Sequence, residues 1–217
     1  AGNELDSNFL WDSTTVEAAD VFASGFMTYL TPPTSKWFRL RHKDPEMAEN
    51  KAVLQYLEDV AEEVNAALNR SNFYDQMFPA YKSSGVYGTA LLIEEEDVED
   101  DIRFTNMPLK QVCVVEDAAG RVSKFYIEFE YTAEEAAGRW GIDVLPTELK
   151  EEIKQNKGGS KKHKFLLYIA DRYRREIQKT DKKNMPIEAC WLAVEARTTI
   201  EESGYHEMPL SVPRWEV

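Results

Sequence analysis

Three histidines are the residues best suited to chemistry, because imidazole binds zinc and transfers protons near neutral pH. His42, His163 and His206 lie far apart in the sequence, and none of them has an HxxE or CxxC partner beside it. We therefore expect three surface imidazoles, no metal site and no cofactor.

Two cysteines could supply a nucleophile. Cys113 and Cys190 each lie within a short apolar run, where a free thiol behaves as a small hydrophobe. We expect both thiols to be buried and the protein to work in a reducing compartment. The sequence has no nucleophile elbow, and Gly158-Gly159-Ser160 lacks the spacing of a phosphate-binding loop. The absence of these motifs from the sequence favours a protein that is not an enzyme.

Acidic residues offer two further candidates. Glu128 and Glu130 lie on one face of a predicted strand, but they alternate with aromatic and aliphatic residues as on any half-exposed strand. Residues Glu94 to Asp101 include seven acids in eight positions, yet they lack the glycine and the ligand order of an EF-hand. We expect a solvated strand face in the first case and a solvated, self-repelling loop in the second.

Positive charge is concentrated between Lys154 and Lys183. This stretch contains eleven basic residues against three acidic ones, in a chain whose net charge is -13. Two interpretations stay open, a solvated loop between strands and a surface that contacts a phosphate backbone or an acidic partner. The residues that could make such subunit or DNA contacts are Arg172, Arg174, Arg175, Lys182 and Lys183.

The composition limits the class of protein. The chain has 39 acidic and 26 basic residues, so its field as a whole repels nucleic acid and anionic lipid. No stretch reaches the roughly 18 apolar residues of a membrane span, and we expect no membrane partner. A chain of 217 residues can bury a core without disulfides or a structural metal. The absence of an initial Met and the apolar, proline-rich end indicate a piece cut from a longer protein.

Helical patterns dominate the first part of the chain. The apolar spacing predicts helices over Thr14 to Leu30, Met47 to about Arg70 and Phe73 to about Ser84, the last of them kinked at Pro79. The alternation of residues between Lys36 and Arg41 predicts a short strand with a cationic outer face.

Strand patterns dominate after Gly88. A hairpin is predicted around the turn at Asp117 to Gly120, and the other segments are expected to be strands except for two short helices. Because helices precede the sheet, we expect an α+β fold with N-terminal helices packed on a mainly antiparallel sheet. The helical part would cover about residues 1–86 and the β-rich part about residues 87–217. The strands are predicted at Thr89–Glu94, Leu109–Glu116, Val122–Tyr131, Phe165–Tyr173, Ile187–Arg197 and Thr198–Glu202, and the helices at Thr132–Trp140 and Pro146–Gln155.

Six short elements in a fixed order resemble the portal, or head-to-tail connector, proteins of short-tailed, podovirus-type bacteriophages. Together they span nearly the whole chain. The elements are Asp12-Ser13-Thr14, Tyr29-Leu-Thr-Pro-Pro33, Lys36-Trp-Phe-Arg-Leu40, Ser71-Asn72-Phe73, Val86-Tyr-Gly-Thr-Ala90, and Glu202-Ser-Gly-Tyr-His-Glu-Met-Pro209 with Val212-Pro-Arg-Trp215.

The resemblance implies a structural virion protein without catalytic activity. Such a protein is one subunit of a ring, usually a dodecamer, which sits at one capsid vertex of a phage or prophage particle and passes double-stranded DNA during packaging and ejection. Its implied partners are the terminase, the capsid and the tail adaptor, and it assembles in the host cytoplasm. The region before the Pro-Arg-Trp element belongs to the portal wing, and the stem, clip and crown that follow it are absent here. The alternative is a nucleic-acid-binding or processing module that uses the basic residues 154–183.

The motif residues are expected to be structural. Two consecutive prolines would stop the first helix and force an extended exit, so that Trp37 and Phe38 enter the sheet core. Gly88 would allow a tight turn from helix into strand, and Arg214 would form surface ion pairs. Core packing is the expectation for Trp215. The complete set is Pro32, Pro33, Trp37, Phe38, Gly88, Pro209, Arg214 and Trp215.

Overall fold

The chain folds into two compact units. The computed structural model describes residues 12–97, 101–155, 157–159, 161–176, 178–179 and 181–214. Unit 1 comprises Ala1–Met107 and Leu210–Val217, and unit 2 comprises Pro108–Pro209. Each unit combines helices with an antiparallel sheet, so the α+β expectation is confirmed. The division falls after Met107 rather than near residue 86, because three strands pair within the helical unit.

The described residues form six α-helices and eight β-strands, which are numbered in chain order. The helices are α1 (Thr14–Leu30), α2 (Pro45–Ala48), α3 (Lys51–Arg70), α4 (Phe73–Tyr87), α5 (Ala133–Trp140) and α6 (Thr147–Lys154). The strands are β1 (Leu92–Asp97), β2 (Asp101–Asn106), β3 (Val112–Glu116), β4 (Val122–Thr132), β5 (Lys162–Asp171), β6 (Ile187–Ala193), β7 (Thr198–Tyr205) and β8 (Leu210–Ser211).

The helices of unit 1 agree with the sequence pattern except at their ends. The predicted helix α1 is confirmed. The helix expected from Met47 begins only at Lys51, because the side-chain oxygen of Asn50 accepts the N–H of Ala52 at 2.9 Å and caps α3. Helix α4 contains Pro79 and continues to Gly88, which ends it with a left-handed φ of 76°.

The segment that precedes α2 is not a strand. The expected strand at Lys36–Arg41 is wrong, since these residues have no strand neighbour in the described part of the chain. Aromatic packing holds the segment in place instead. The ring of Trp37 stacks on Phe73 of α4 at 6.1 Å, and its Nε1 donates to the hydroxyl of Tyr74 at 3.4 Å. Trp37 is therefore half-buried against α4, and Phe38 is half-buried with its ring 5.0 Å from that of Trp37, rather than inside a sheet.

The sheet of unit 1 has the strand order β2-β1-β8, with antiparallel pairing throughout. Strand β1 lies three residues later than predicted, and β2 was not predicted. The acidic run was expected to be a loop, but its residues 94–97 belong to β1 and its last residue, Asp101, begins β2. Residues 98–100 lie outside the described residues. Strand pairing prevails over charge repulsion because it buries Ile93 and Phe104.

The outer strand β2 is covered by side chains of α4 and its N-terminal boundary. The amide of Asn72 accepts the N–H of Phe104 and donates to its carbonyl, both at 2.8 Å. The side-chain oxygen of Gln76 accepts the N–H of Asn106 at 2.9 Å. Two amide side chains thus take the hydrogen-bonding positions that a further strand would occupy.

Unit 2 is built on a five-stranded antiparallel sheet whose order β3-β4-β5-β6-β7 follows the sequence. The predicted hairpin of β3 and β4 is confirmed, with Gly120 at a φ of 75° in its turn. Pairs such as Phe125↔Ile169 and Phe129↔Phe165 place the apolar side chains of β4 and β5 on one face. That face forms the core of the unit.

Two short helices complete unit 2 as the sequence predicts. Thr132 and Glu135 form a capping box at the start of α5, where the Thr132 side chain accepts from the N–H of Glu135. The ring of Trp140 at the end of α5 lies 5.1 Å from that of Trp191 and 5.3 Å from that of Phe165. The helix therefore packs its last turn on aromatic side chains of β5 and β6.

A pair of glycines in unit 2 tests how tightly β7 is packed. We expect Gly204→Ala to lower the free energy of unfolding by about 1–3 kcal/mol, because its Cβ would lie 2.5 Å from the carbonyl oxygen of Ile187 and 2.6 Å from that of Lys182. Gly138→Ala in α5 is the control, since nothing lies within 4 Å of its Cβ, and it should be neutral or stabilising by up to about 1 kcal/mol. Urea unfolding measures both. Equal effects of the two substitutions would contradict the packing at β7.

Candidate functional site

A buried histidine is the most closely packed titratable group in the described part of unit 2. His163 on β5 is 3% exposed. Its Nε2 lies 2.8 Å from a carboxylate oxygen of Glu152 on α6, and its Nδ1 lies 3.0 Å from one of Glu195, which follows β6. The expectation of a surface imidazole is therefore wrong for His163, although His42 and His206 are exposed as expected.

The His163 site is a structural bridge. Each ring nitrogen already contacts a carboxylate, so neither nitrogen is available to a substrate. The hydrogen bond from His163 lowers the pKa of Glu195, and the charge of Lys161 at 3.4 Å acts in the same direction. The bridge joins α6, β5 and the turn after β6. Sequence alternation could have revealed it, because His163 lies two residues before Phe165 on the buried face of β5.

The two thiols differ in their surroundings. Cys113 is exposed on the edge strand β3, so the expected burial of this thiol is wrong. Cys190 on β6 is half-buried, and burial raises the pKa of its thiol and keeps it protonated. The described residues contain no group of three or more His, Cys, Asp or Glu side chains that could hold a metal ion. They also include no helix long and apolar enough to cross a membrane.

The candidate acid–base pair, Glu128 and Glu130, lies beside a lysine of the neighbouring strand. Glu128 accepts a hydrogen bond from Lys164 Nζ at 2.7 Å, and this bond raises the pKa of Lys164. Glu130 lies opposite Lys164 in the pairing of β4 with β5. The two carboxylates and the lysine thus form a solvent-facing charge cluster of the kind that adds little stability.

Arg172 is held inside unit 2. Its side chain is 7% exposed, and its guanidinium donates to a Glu202 carboxylate oxygen at 2.9 Å. It also donates to the backbone carbonyls of Ser203 at 2.9 Å and Met185 at 3.1 Å. These bonds tie the connection between β5 and β6 to β7. They leave little of the guanidinium for another molecule, although the sequence had suggested a subunit or DNA contact for Arg172.

Four further cations of this connection face solvent. We call these four cations, together with the exposed tyrosine that precedes them, the basic loop. It carries an aromatic ring that is 93% exposed, Tyr173, directly before two arginines. Lys179 in the same connection, and Lys161 and Lys164 earlier in the basic stretch, pair with glutamates of the same chain. The basic loop consists of Tyr173, Arg174, Arg175, Lys182 and Lys183.

A surface of opposite charge lies in unit 1. We call the acidic residues of β1 and β2 the acidic hairpin, which among the described residues comprises Glu94 to Asp97 and Asp101. Glu94, Glu96 and Asp101 are exposed. Two of its carboxylates are partly neutralised, since Arg70 lies 2.7 Å from Asp101 and Arg103 lies 3.7 Å from Asp97. The hairpin therefore keeps an acidic outer surface.

The remaining motif residues have structural positions. Pro32 and Pro33 follow the last residue of α1, and the hydroxyl of Thr31 contacts that of Tyr81 at 3.1 Å. Pro209 is buried in unit 2, and Arg214 is half-buried in a β-bridge with Thr89. Trp215 lies outside the described residues. The described part of the chain thus has an α+β fold in which several charged side chains form ion pairs within each unit.

Comparison with known proteins assigns the family. Over residues 1–217 the chain matches the family of bacteriophage head to tail connecting proteins, and it belongs to that family. It is 29% identical over 208 residues to the portal protein of Salmonella phage epsilon15, covering 95% of this chain and 37% of that protein. It is 28% identical over 217 residues to the probable portal protein of Bordetella phage BPP-1, covering 99% and 39%. The chain therefore spans less than half the length of these relatives.

The His163 bridge leads to a prediction about acid stability. We expect Glu195→Gln to lower the free energy of unfolding at pH 7 by about 1 kcal/mol, because the lost hydrogen bond is charge-assisted but half-exposed. The pKa of Glu195 is lowered in the folded chain, so its contribution is complete above the ordinary glutamate pKa of about 4.3 and disappears as the pH falls through the lowered value.

The measurement is urea unfolding of both chains across that pH range. Glu148→Gln, at an exposed position of α6, is the matched control and should change stability little at any pH. A loss that is the same in the control, or that persists unchanged at strongly acid pH, would contradict the role of the carboxylate.

Proposed function

We propose that this chain is the wing region of a portal subunit, a structural protein of the phage virion. The observation that carries the proposal is the match to the head to tail connecting family over all 217 residues. Two relatives named as portal proteins cover 95% and 99% of the chain. Because the chain spans only 37% and 39% of those relatives, the role of the complete subunit is an inference.

The finer proposal concerns the assembly. The complete subunit forms a ring, a dodecamer, at one capsid vertex, and double-stranded DNA passes through the ring during packaging and ejection. The terminase, the capsid and the tail adaptor are its partners, and the ring assembles in the host cytoplasm. The subunit has no catalytic activity in this role. The engagement of His163, Arg172 and Glu128 in bonds within the fold supports such a structural role.

We propose that the basic loop contacts the acidic hairpin of an adjacent subunit. A ring interface joins one face of a subunit to a different face of its neighbour, so complementary surfaces on one chain suit it. Arg174, Arg175, Lys182 and Lys183 are exposed on one such surface, and Glu94 and Glu96 on the other. Exposed pairs contribute only about 0.2–1 kcal/mol each, so they select the neighbour and the salt dependence rather than fix the fold.

The test uses the full-length protein. We expect Arg174→Glu with Arg175→Glu to reduce the yield of rings in electron micrographs at low salt, because like charges would then face each other. The melting temperature should stay unchanged, since both side chains are exposed. Adding Glu94→Lys and Glu96→Lys should restore part of the ring yield. Arg39→Glu with Arg41→Glu, an equal charge reversal at exposed positions of unit 1, is the control and should not alter it.

The outcomes test the portal assignment and the subunit interface separately. If the unaltered full-length protein forms no rings, the portal assignment is wrong. If the variant forms rings at unaltered yield, the interface is wrong. Normal rings that fail to package DNA would assign the basic loop to DNA or to the terminase. Salt-dependent DNA binding by a chain that forms no ring would favour a nucleic-acid-binding module.

A further inference from the structure

Helix α3 carries an apolar strip that stays largely open to solvent. Tyr56, Val60 and Val64 follow one another at a spacing of four residues, so their side chains lie side by side along the helix. Tyr56 is 67% exposed, Val64 is 40% exposed and Val60 is half-buried. Of the twenty residues of α3, all of them described, Ala61 alone is buried. We call Tyr56, Val60 and Val64 the α3 strip.

Acidic side chains border the α3 strip on one side. Asp59 and Glu63 lie three residues after Tyr56 and Val60, which places both carboxylates along the same edge of the strip. Both are exposed, and Glu63 forms no salt bridge with the described residues. A surface that is complementary to this one has to bring an apolar group next to positive charge.

The basic loop has this combination of side chains. Tyr173 is almost fully exposed, and it directly precedes Arg174 and Arg175, which are exposed as well. Tyrosine and arginine are among the residue types that most often dominate the binding energy of protein interfaces. The ring of Tyr173 gains free energy only when another surface removes it from water. An exposed ring between solvent and two cations therefore matches the apolar strip with its acidic edge.

The α3 strip adjoins the acidic hairpin. Arg70, the last residue of α3, lies seven residues after Glu63 and therefore on the same face of the helix. Its guanidinium lies 2.7 Å from a carboxylate oxygen of Asp101, the first residue of β2. Val64 is six residues before Arg70, which is about 9 Å along the helix axis. A loop that contacts the hairpin with its arginines can thus reach the strip with the residue before them.

We propose that Tyr173 of the basic loop docks on the α3 strip of the adjacent subunit, while Arg174 and Arg175 contact the acidic hairpin beside it. This inference rests on the subunit interface proposed above and supplies its apolar contact. The occupant of the strip is thus a second copy of the same chain. The charges guide the encounter and select the partner, and the buried ring holds the two subunits together.

The first test truncates Tyr173 in the full-length protein. We expect Tyr173→Ala to raise by about tenfold or more the concentration at which half of the subunits are in rings, measured by analytical ultracentrifugation. The ratio to the unaltered protein should persist in about 1 M salt, where the Debye length is about 3 Å and exposed charge pairs are screened. Tyr29→Ala, which removes a ring that is 86% exposed on α1, is the matched control and should leave ring formation unaltered.

The second test changes the strip itself. Val64→Asp should weaken ring formation in the same way, because a carboxylate would be buried against the ring of Tyr173. Val21→Asp, at a position of α1 that is 73% exposed, is the control and should have no effect on rings. Tyr173→Ala combined with Val64→Asp should weaken ring formation no more than the stronger single substitution, because both remove the same contact. Fully additive effects would overturn the proposal.

A crosslink covers the case in which Val64→Asp fails to fold. Tyr173 is replaced by p-benzoylphenylalanine, and illumination of assembled rings should join it to a peptide of a second subunit that contains Val60 and Val64. Crosslinks to other parts of the chain alone would overturn the proposal, and so would normal ring formation by Tyr173→Ala. If Arg174→Glu with Arg175→Glu then still lowered the ring yield, the subunit interface would stand and only its apolar contact would be wrong. An unaltered protein that forms no rings would overturn both.

Discussion

The pairing of β4 with β5 is the constraint on which unit 2 depends. It runs without a break from Lys124↔Ala170 to Thr132↔Lys162 and decides which side chains enter the core. A shift by one residue would expose Phe125 and every apolar side chain of the same face. The same register turns His163 inward to Glu152 and Glu195. The core of the unit and the hydrogen bonds of its buried histidine are therefore consequences of one strand pairing.

Charge is used in two ways along the chain. Within each unit, acids and bases bind one another, and the guanidinium of Arg172 joins three backbone and side-chain acceptors. Away from these pairs, the basic loop and the acidic hairpin keep exposed charge of opposite sign. Exposed surfaces of opposite charge are the pattern by which electrostatic complementarity guides association between proteins.

Most of the elements that were predicted correctly from the sequence depend on residues close together in the chain. Helix α1, the hairpin at Gly120 and the capping box of α5 each depend on residues within a few positions of one another. The expected strand at Lys36–Arg41 failed because Trp37 packs on Phe73, which lies far along the chain. The partners of His163 and Arg172 are equally remote. The family could nevertheless be predicted, because recognising the order of the short motifs requires no knowledge of contacts between distant residues.

The side-chain amides of Asn72 and Gln76 are hydrogen-bonded to the backbone of β2, and this has a consequence for handling the protein. An open strand edge recruits strands of other molecules and seeds aggregation. Here the backbone groups of Phe104 and the N–H of Asn106 already have partners, so an incoming strand would first have to displace two side chains. When the chain is concentrated in solution, the covered strand removes one route by which its copies would form disordered aggregates.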